Sequence, residues 1–203
     1  MKLYYYPGAC SMAPHIILRE AGYKFDLDKV DFESMKTASG EDYRKVNPKG
    51  YVPAIKLDDG KILTEVAAIL QYLADQKPQS GLAPKAGTME RYRLMEWLNF
   101  VATEIHKSLG AFFNPKMIPE WKEAQLALVS KRFDYLVSAL DGKQYLMGDK
   151  FSVVDAYLFT VLNWTNFHKI DIGKWPVLKD YMARIAARPK VREAMKAEGL
   201  VKQ

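Results

Sequence analysis

Cys10, the only cysteine of the 203-residue chain, is the residue whose type and position first indicate chemistry. It lies in YPGACSMAPH, after a Pro-Gly turn and before a stretch with a helical pattern. Unpaired amides at the start of a helix favour a thiolate, so we expect a lowered pKa and a nucleophilic or redox role. A buried, inert thiol is the alternative that position alone leaves open. Ala13 stands where a resolving cysteine would be needed, so only an external thiol can form a mixed disulfide with Cys10.

Two further patterns indicate a binding site for an amino-acid-like group. Val52 and Pro53 precede the strand pattern AIKL, and proline is tolerated at the first residue of a strand, especially in a cis peptide. Thr64 is predicted to cap the next helix and Glu65 to lie in its first turn, where free amides attract an anion. Glu65 would then hold a nearby ammonium group, although a plain first-turn role for Glu65 is the alternative.

The segment RLMEWLNFVATEIHKSLGAF predicts a helix with two distinct faces. Its apolar stripe consists of Leu94, Leu98, Val101, Ile105 and Leu109. Asn99, Thr103 and His106 share the opposite face, which we interpret as the wall of a cleft rather than a solvated surface. His106 titrates near neutral pH and can poise a thiolate or donate a proton. His15 and His168 lack such neighbours and are predicted to be structural.

The elements that must position these residues fall into two parts. Residues 1–80 alternate strand and helix signals in the order βαβαββα, with a hairpin predicted at DDG. Residues 81–87, rich in Pro, Gly and Lys, are predicted to be a linker, and residues 88–203 an all-helical domain. Ser152 and Asp155 have capping-box spacing at the start of an apolar helix, and this feature concerns folding.

Composition describes an ordinary globular protein, with 49% apolar and 27% charged residues. A single cysteine excludes an intramolecular disulfide and a cysteine-based metal cage. The pattern of a signal peptide and a bilayer-spanning run are both missing, so we expect a cytoplasmic location. The net charge of +6 comes largely from basic residues that alternate with apolar ones near the carboxyl end. We interpret these as solvated helix faces and expect neither a nucleic-acid nor a membrane partner.

Taken together and in this order, the motifs resemble those of cytosolic glutathione transferases, most closely the bacterial beta class. The motifs are YPGACS, NPKGYVPAI, TE at 64–65, EWLNFVATEIHK and SVVDAYLF, and the resemblance extends to the closing RPKVREAMKAEGL. It implies a thioredoxin-like α/β domain followed by an all-α domain, assembled as a homodimer. It also implies detoxification by conjugation of glutathione to small hydrophobic electrophiles, with some peroxidase or thiol-exchange activity. Glutathione is then a co-substrate, and no cofactor is bound permanently.

The resemblance also implies roles for particular residues. The residues expected to contact glutathione are Cys10, Lys36, Val52, Pro53, Glu65, Val66, Asn99, Thr103, Glu104 and His106. Those expected to stabilise its thiolate are Cys10, Ser11 and His106, with Tyr5 as a secondary candidate. The electrophile pocket is expected to consist of Phe112, Phe113 and Trp164.

Two positions depart from the family pattern. Val66 stands where the family usually has Gly or Ser, and Met35 stands where it tends to have Lys. These two residues favour an alternative interpretation, a non-catalytic carrier of hydrophobic ligands with the same fold. A third interpretation is an enzyme of thiol exchange or reductive dehalogenation, acting through a mixed disulfide between Cys10 and glutathione.

Overall fold

The computed structural model describes residues 1–201, and the chain divides into two compact units. The first unit contains residues 1–83 and the segment from Arg188 onward, and the second is Pro84–Ala187. The sequence pattern places the last segment with the helical domain, whereas its contacts join it to the first unit. Within the described range 1–201, no helix has the length and apolar character needed to cross a membrane.

The first unit is an α/β fold built on a five-stranded sheet. Its elements are β1 (Lys2–Tyr5), α1 (Met12–Glu20), β2 (Asp26–Asp31), β3 (Lys36–Thr37), α2 (Tyr43–Val46), β4 (Ala54–Lys56), β5 (Ile62–Thr64), α3 (Val66–Gln76) and α10 (Pro189–Ala197). The predicted order βαβαββα is confirmed for the amino-terminal part, with the two-residue strand β3 as an addition. The predicted thioredoxin-like fold is likewise confirmed.

Strand β1 lies at the centre of the sheet, whose order is β3-β2-β1-β4-β5. It runs parallel to β2 and antiparallel to β4, with Leu3 opposite both Leu27 and Ile55. Leu3 and Tyr4 point to opposite faces of the sheet and are both fully buried, so helices cover both faces around β1. The predicted hairpin joins β4 to β5, and Gly60 supplies its positive φ of 84°.

Helix α1 packs between α3 and α10, and its residues from Met12 to Leu18 are all buried. Near its start, His15 Nδ1 lies 2.7 Å from a carboxylate oxygen of Glu198, which follows α10. The other oxygen of Glu198 accepts the N–H of Gly8 at 2.9 Å. Arg19 Nε donates to His15 Nε2 at 2.8 Å, so Nδ1 carries the imidazole proton and donates it to Glu198. The two ends of this unit are therefore joined by one buried carboxylate.

The second unit is helical, as predicted. Its elements are α4 (Met89–Phe100), a π-helical segment (Val101–His106), α5 (Lys107–Gly110), α6 (Pro119–Ala139), α7 (Val153–Leu162), α8 (Trp164–His168) and α9 (Pro176–Ala186). Every residue of α7 is buried, and the predicted capping box of Ser152 and Asp155 is present at its start. Helix α7 contacts α4 and α9 and is therefore the core of this unit.

Asp155 is expected to contribute more to stability than Ser152 does. Its carboxylate accepts the N–H groups of Leu146 and Ser152 and the hydroxyl of Tyr181, at 2.9–3.0 Å. Replacing Asp155 with Ala leaves several buried donors unpaired and should lower the free energy of unfolding by about 3 kcal/mol. Ser152→Ala, the matched control, should cost about 1 kcal/mol. Urea unfolding of both variants measures this, and equal losses would contradict the assignment.

Candidate functional site

The segment from Tyr6 to Ser11 forms a tight loop that delivers Cys10 to the start of α1. Ser11 is the N-cap residue of α1, but its hydroxyl makes no capping bond. Instead, Ser11 Oγ accepts the N–H of Tyr6 and donates to the carbonyl of Tyr6, both at 3.2 Å. Gly8 has a positive φ of 73°, and its backbone N–H donates to a carboxylate oxygen of Glu198. The loop is therefore fixed by side chains at both of its turns.

Cys10 meets the second sequence-predicted motif in this loop. Its Sγ–H donates to the carbonyl oxygen of Val52 at 3.3 Å. The peptide bond between Val52 and Pro53 is cis, and the ladder of β4 begins only at Ala54. The structure thus brings together Cys10 and the backbone of Val52, which lie 42 positions apart in the chain.

The expected lowering of the Cys10 pKa is wrong. Burial raises the pKa of the Cys10 thiol from about 9 to about 12, and the negative charge of Glu65 adds to the rise. The backbone N–H groups of Cys10 and Ser11 act in the opposite direction, as predicted, but they are outweighed. Cys10 is therefore a protonated hydrogen-bond donor at neutral pH.

Glu65 also differs from its predicted position. Thr64 remains in the ladder opposite Ala54, and Glu65 is the N-cap residue of α3 with a φ of 71°. The chain turns sharply from β5 into α3 at this residue, so the helix begins one residue later than predicted, at Val66. The first amides of α3 follow Glu65 directly in the chain, but its carboxylate makes no capping bond to them.

Two residues that the sequence analysis missed contact Glu65. Lys49 Nζ forms an ion pair with Glu65 and also donates to Thr64 Oγ1 at 2.8 Å. The hydroxyl of Tyr51 donates to Glu65 Oε1 at 3.0 Å. The hydrogen bond to Glu65 raises the pKa of Lys49, so Lys49 keeps its positive charge at neutral pH. Both residues belong to the motif NPKGYVPAI, and charge complementarity between Lys49 and Glu65 was the available signal.

The two residues that depart from the family pattern are accounted for by packing. Val66 is almost fully buried as the first residue of α3. Met35 has a φ of 54° and packs against the buried cluster that includes Tyr4 and Val52. Lys36 follows in β3 and is exposed. Met35 is therefore a partly buried residue that packs against the core, and Lys36 is the cationic residue of this pair.

Tyr5, the secondary candidate, lies at the end of β1. Burial raises the pKa of Tyr5 above its ordinary value, and the charge of Glu198 has the same effect. Its ring lies 6.3 Å from the ring of His15. Tyr5 thus keeps its proton at neutral pH.

In the second unit, a change of helical pitch separates His106 from the polar face on which it was predicted. Asn99 and Thr103 are exposed, and Thr103 Oγ1 donates to the carbonyl of Asn99 at 3.0 Å. Residues 101–106 form a π-helix, in which each hydrogen bond spans one more residue than in an α-helix. His106 is consequently turned inward and half-buried, with Nδ1 2.6 Å from the hydroxyl of Tyr157. Glu104 forms an ion pair with Arg132.

His106 belongs instead to an aromatic cluster that includes two of the predicted pocket residues. Its ring lies 4.9 Å from that of Trp164, which lies 5.3 Å from that of Phe113. Trp164 is buried, whereas Phe113 is 54% exposed and available to a ligand. Tyr157 on α7, which the sequence analysis did not single out, forms the hydrogen bond that orients the His106 ring. Phe112 lies further along and contacts His168 at a ring distance of 5.4 Å.

Comparisons with known proteins agree with this geometry. The family model "Glutathione S-transferase, N-terminal domain" matches residues 8–76, and "Glutathione S-transferase, C-terminal domain" matches residues 100–189. The glutathione S-transferase GstA of Escherichia coli O157:H7 is 45% identical over 200 residues, which are 98% of this chain and 100% of that protein.

Two solved structures are similar over nearly their whole length. The beta-class glutathione S-transferase of Sphingomonas chungbukensis has a TM-score of 0.95 and 49% identity, covering 99% of this chain and 100% of that one. A sphingomonad glutathione S-transferase complexed with glutathione has a TM-score of 0.95 and 47% identity, with the same coverage of both chains.

The chain therefore belongs to the glutathione S-transferase family. It is a glutathione S-transferase enzyme, and its resemblance to the bacterial beta class is confirmed.

The raised pKa of Cys10 predicts slow alkylation of the native protein. A rise from about 9 to about 12 lowers the thiolate fraction near pH 8 by roughly a thousandfold. We expect iodoacetamide to modify native Cys10 at least a hundredfold more slowly than the urea-unfolded chain at pH 8. The native rate should still increase with pH above 10, where an ordinary thiol has reached its plateau. Equal native and unfolded rates, or a plateau near pH 9, would refute the assignment.

Proposed function

We propose that the first unit binds glutathione along the line formed by Glu65, Val52 and Cys10, and that the enzyme conjugates it to hydrophobic electrophiles. The observation that carries this proposal is the hydrogen bond from Cys10 Sγ to the Val52 carbonyl. It places a sulfur beside a backbone segment that lies outside the sheet ladder. The sphingomonad relative, 47% identical, is complexed with glutathione, which supports the choice of ligand.

The ends of glutathione match the charges of this surface. Its γ-glutamyl carboxylate would accept from the first amides of α3, and its ammonium group would bind Glu65. Lys49 is paired with Glu65, so ammonium binding requires Lys49 to share or release that carboxylate. The cysteinyl part would pair with the backbone of Val52 beside Pro53. Lys36 is the cation proposed for the glycine carboxylate.

The proposed reaction is a nucleophilic substitution or addition by the glutathione thiolate. In substitution, the sulfur forms a bond to an electrophilic carbon, the leaving group departs with its electron pair, and the thiol proton passes to solvent. In addition to an activated double bond, the sulfur bonds to one carbon and the carbanion formed at the other takes up a proton. Cys10 would release the Val52 carbonyl and donate its S–H to the glutathione sulfur. Ser11 would help to stabilise the thiolate through its backbone N–H, with the first amides of α1, because its buried hydroxyl donates to the Tyr6 carbonyl. Tyr5 remains a secondary candidate for this role.

The second unit is proposed to supply the electrophile pocket and a proton-transfer group. Phe112, Phe113 and Trp164 provide aromatic surface for an apolar substrate. His106 lies against Trp164, and its hydrogen bond with Tyr157 orients the imidazole. The contributions of Asn99, Thr103 and Glu104 to the glutathione site remain predictions from the family resemblance.

The remaining features of the proposal rest on the family alone. We propose a cytoplasmic homodimer with a detoxifying role, whose partners are glutathione and small electrophiles and do not include nucleic acid or membrane. Glutathione acts as a co-substrate, without a permanently bound cofactor. Peroxidase activity would use the same thiolate: the sulfur bonds to one peroxide oxygen, the O–O bond breaks, and the other oxygen leaves with the electron pair and is protonated to an alcohol or water. A second glutathione would then displace water from the sulfenic acid and form the disulfide.

Two alternatives are favoured or opposed by particular observations. The buried Val66 and the apolar, partly buried Met35 favour a carrier of hydrophobic ligands that has lost glutathione binding. The raised pKa of Cys10 opposes thiol exchange or reductive dehalogenation through a Cys10 mixed disulfide, because the thiolate is the attacking species.

Calorimetry at pH 7 separates these functions. We expect glutathione to bind the wild type and Cys10→Ala with dissociation constants between micromolar and millimolar, because Cys10 contributes chemistry rather than affinity. Conjugation to an activated aryl chloride should be retained in Cys10→Ala, with a lower rate. Loss of disulfide reduction with unchanged conjugation would favour thiol exchange as a second activity. Absence of binding in both proteins would favour the carrier.

Glu65 is expected to determine affinity for the γ-glutamyl end. Glu65→Gln should weaken glutathione binding about tenfold, because the ammonium group loses its anionic partner. Glu41→Gln, a change of the same type elsewhere in the first unit, should have no effect and serves as the matched control. Equal dissociation constants for Glu65→Gln and wild type, measured by calorimetry, would rule out this binding mode.

A further inference from the structure

Gly110 is the one glycine within residues 1–201 at which neither backbone conformation nor crowding excludes a side chain. Ten of the 12 glycines have a positive φ, which other residues rarely adopt. Gly173 is outside that group, but a Cβ there would lie 2.9 Å from Asp171 Oδ1. Gly110 has a helical φ of −61° and ψ of −28°, and the helical run continues past it to Phe113.

A glycine at a helical position such as Gly110 weakens the helix. Glycine loses more conformational freedom on folding than alanine does, and it is a poorer helix former. Only side chains lie near the missing Cβ of Gly110, so no approaching backbone segment of residues 1–201 requires its absence. The folding of the chain therefore does not explain the missing side chain.

A methyl group at Gly110 would lie against two aromatic rings of the second unit. It would be 3.8 Å from Trp164 Cζ3 and 3.9 Å from His106 Cδ2, which are ordinary contact distances. Beyond its chain neighbours and the backbone of its own helix, no further atom of residues 1–201 lies within 4 Å of that methyl group. A buried core residue contacts roughly 6–12 others, so this position borders open space. Gly110 is itself partly exposed, and so is His106.

The side chains beside this space are flat and aromatic. The rings of His106 and Phe113 lie 4.9 and 5.3 Å from that of Trp164, at interplanar angles of 75° and 82°. Phe113 is 54% exposed and follows Gly110 by about one helical turn. Planar rings gain contact with such surfaces in stacked or edge-to-face geometry. The backbone at Gly110 adds to them a surface without a side chain.

We propose that Gly110 determines substrate specificity by leaving room for a planar electrophile with two fused aromatic rings. One ring lies against Phe113 and Trp164, and the other covers the backbone of Gly110 beside His106. This specificity rests on the proposed function, because it names the substrate class for the electrophile pocket proposed above. Gly110 itself is not among the residues that the family resemblance assigns to that pocket.

The experiment compares three chlorides that react by the same substitution and differ in the size of the attached group. They are allyl chloride, benzyl chloride and 2-(chloromethyl)naphthalene. In each, the glutathione sulfur bonds to the carbon that carries chlorine, chloride leaves with the electron pair of the C–Cl bond, and the thiol proton passes to solvent. The variants are Gly110→Ala and the matched control Gly173→Ala, a change of the same type in the same unit.

Thermal unfolding and calorimetry establish that the Gly110 variant is intact. Gly110→Ala should raise the midpoint of unfolding by about 2 °C, because alanine favours the helix. Gly173→Ala should lower the midpoint, because its Cβ meets the Asp171 carboxylate. Neither variant should change the dissociation constant of glutathione.

We expect Gly110→Ala to lower kcat/KM for the naphthyl chloride at least tenfold, mainly through a higher KM. One methyl group in an apolar pocket changes selectivity by roughly 10–200-fold. Benzyl chloride should lose less than threefold, and allyl chloride should react as with the wild type. Gly173→Ala should keep the wild-type ratios among the three chlorides.

An equal loss for all three chlorides in Gly110→Ala, or no loss for the naphthyl chloride, would overturn the specificity and leave the proposed function in place. Calorimetry with 2-methylnaphthalene, an unreactive analogue, requires no turnover. Its binding should be at least tenfold weaker in Gly110→Ala, and equal binding would overturn the specificity. Weaker binding in a protein whose wild type conjugates none of the chlorides would support the site at Gly110 and overturn the proposed function.

Discussion

The geometry of the Cys10 loop depends on one buried carboxylate near the end of the chain. Glu198 accepts from the backbone of Gly8 and from His15, and both bonds are short and shielded from solvent. A carboxylate is stable in such surroundings only because charge-assisted hydrogen bonds compensate for its lost hydration. Arg19 completes the arrangement by donating to the opposite side of His15. The loop and the carboxyl-terminal segment therefore form one structural element.

The protonation state of Cys10 is decided by a competition between two opposing effects. A charge near a helix terminus gains about 0.3–1 kcal/mol, which is less than one pKa unit. Burial in a low-dielectric environment shifts a pKa by up to 3–5 units. The second effect is larger, and the nearby charge of Glu65 acts in the same direction. The Cys10 thiol at the start of α1 therefore keeps its proton and donates a hydrogen bond to the Val52 carbonyl.

Local patterns predicted the elements, and long-range contacts explain what was missed. Alternating apolar residues, the DDG turn and the spacing of Ser152 and Asp155 act over a few residues, and each appears where expected. Glu198 and His15 lie 183 positions apart, so no local spacing joins them. The pKa of Cys10 depends on how deeply the surrounding segments bury it. The family motifs identified the enzyme class, whereas the pairing of Lys49 with Glu65 had opposite charge as its signal in the sequence and was missed.

The π-helical segment 101–106 has a consequence for everything that follows it. Each residue of an α-helix turns the chain by about 100°, so one additional residue within a turn rotates the downstream part relative to α4. The apolar stripe remains buried despite this rotation, because Leu98, Val101 and Ile105 all lie in the core. The polar face is interrupted, because Asn99 and Thr103 are exposed whereas His106 lies against Trp164. The π-helical segment therefore divides one continuous helix into two parts whose polar faces point in different directions. Deletion of one residue from this segment would align the two faces.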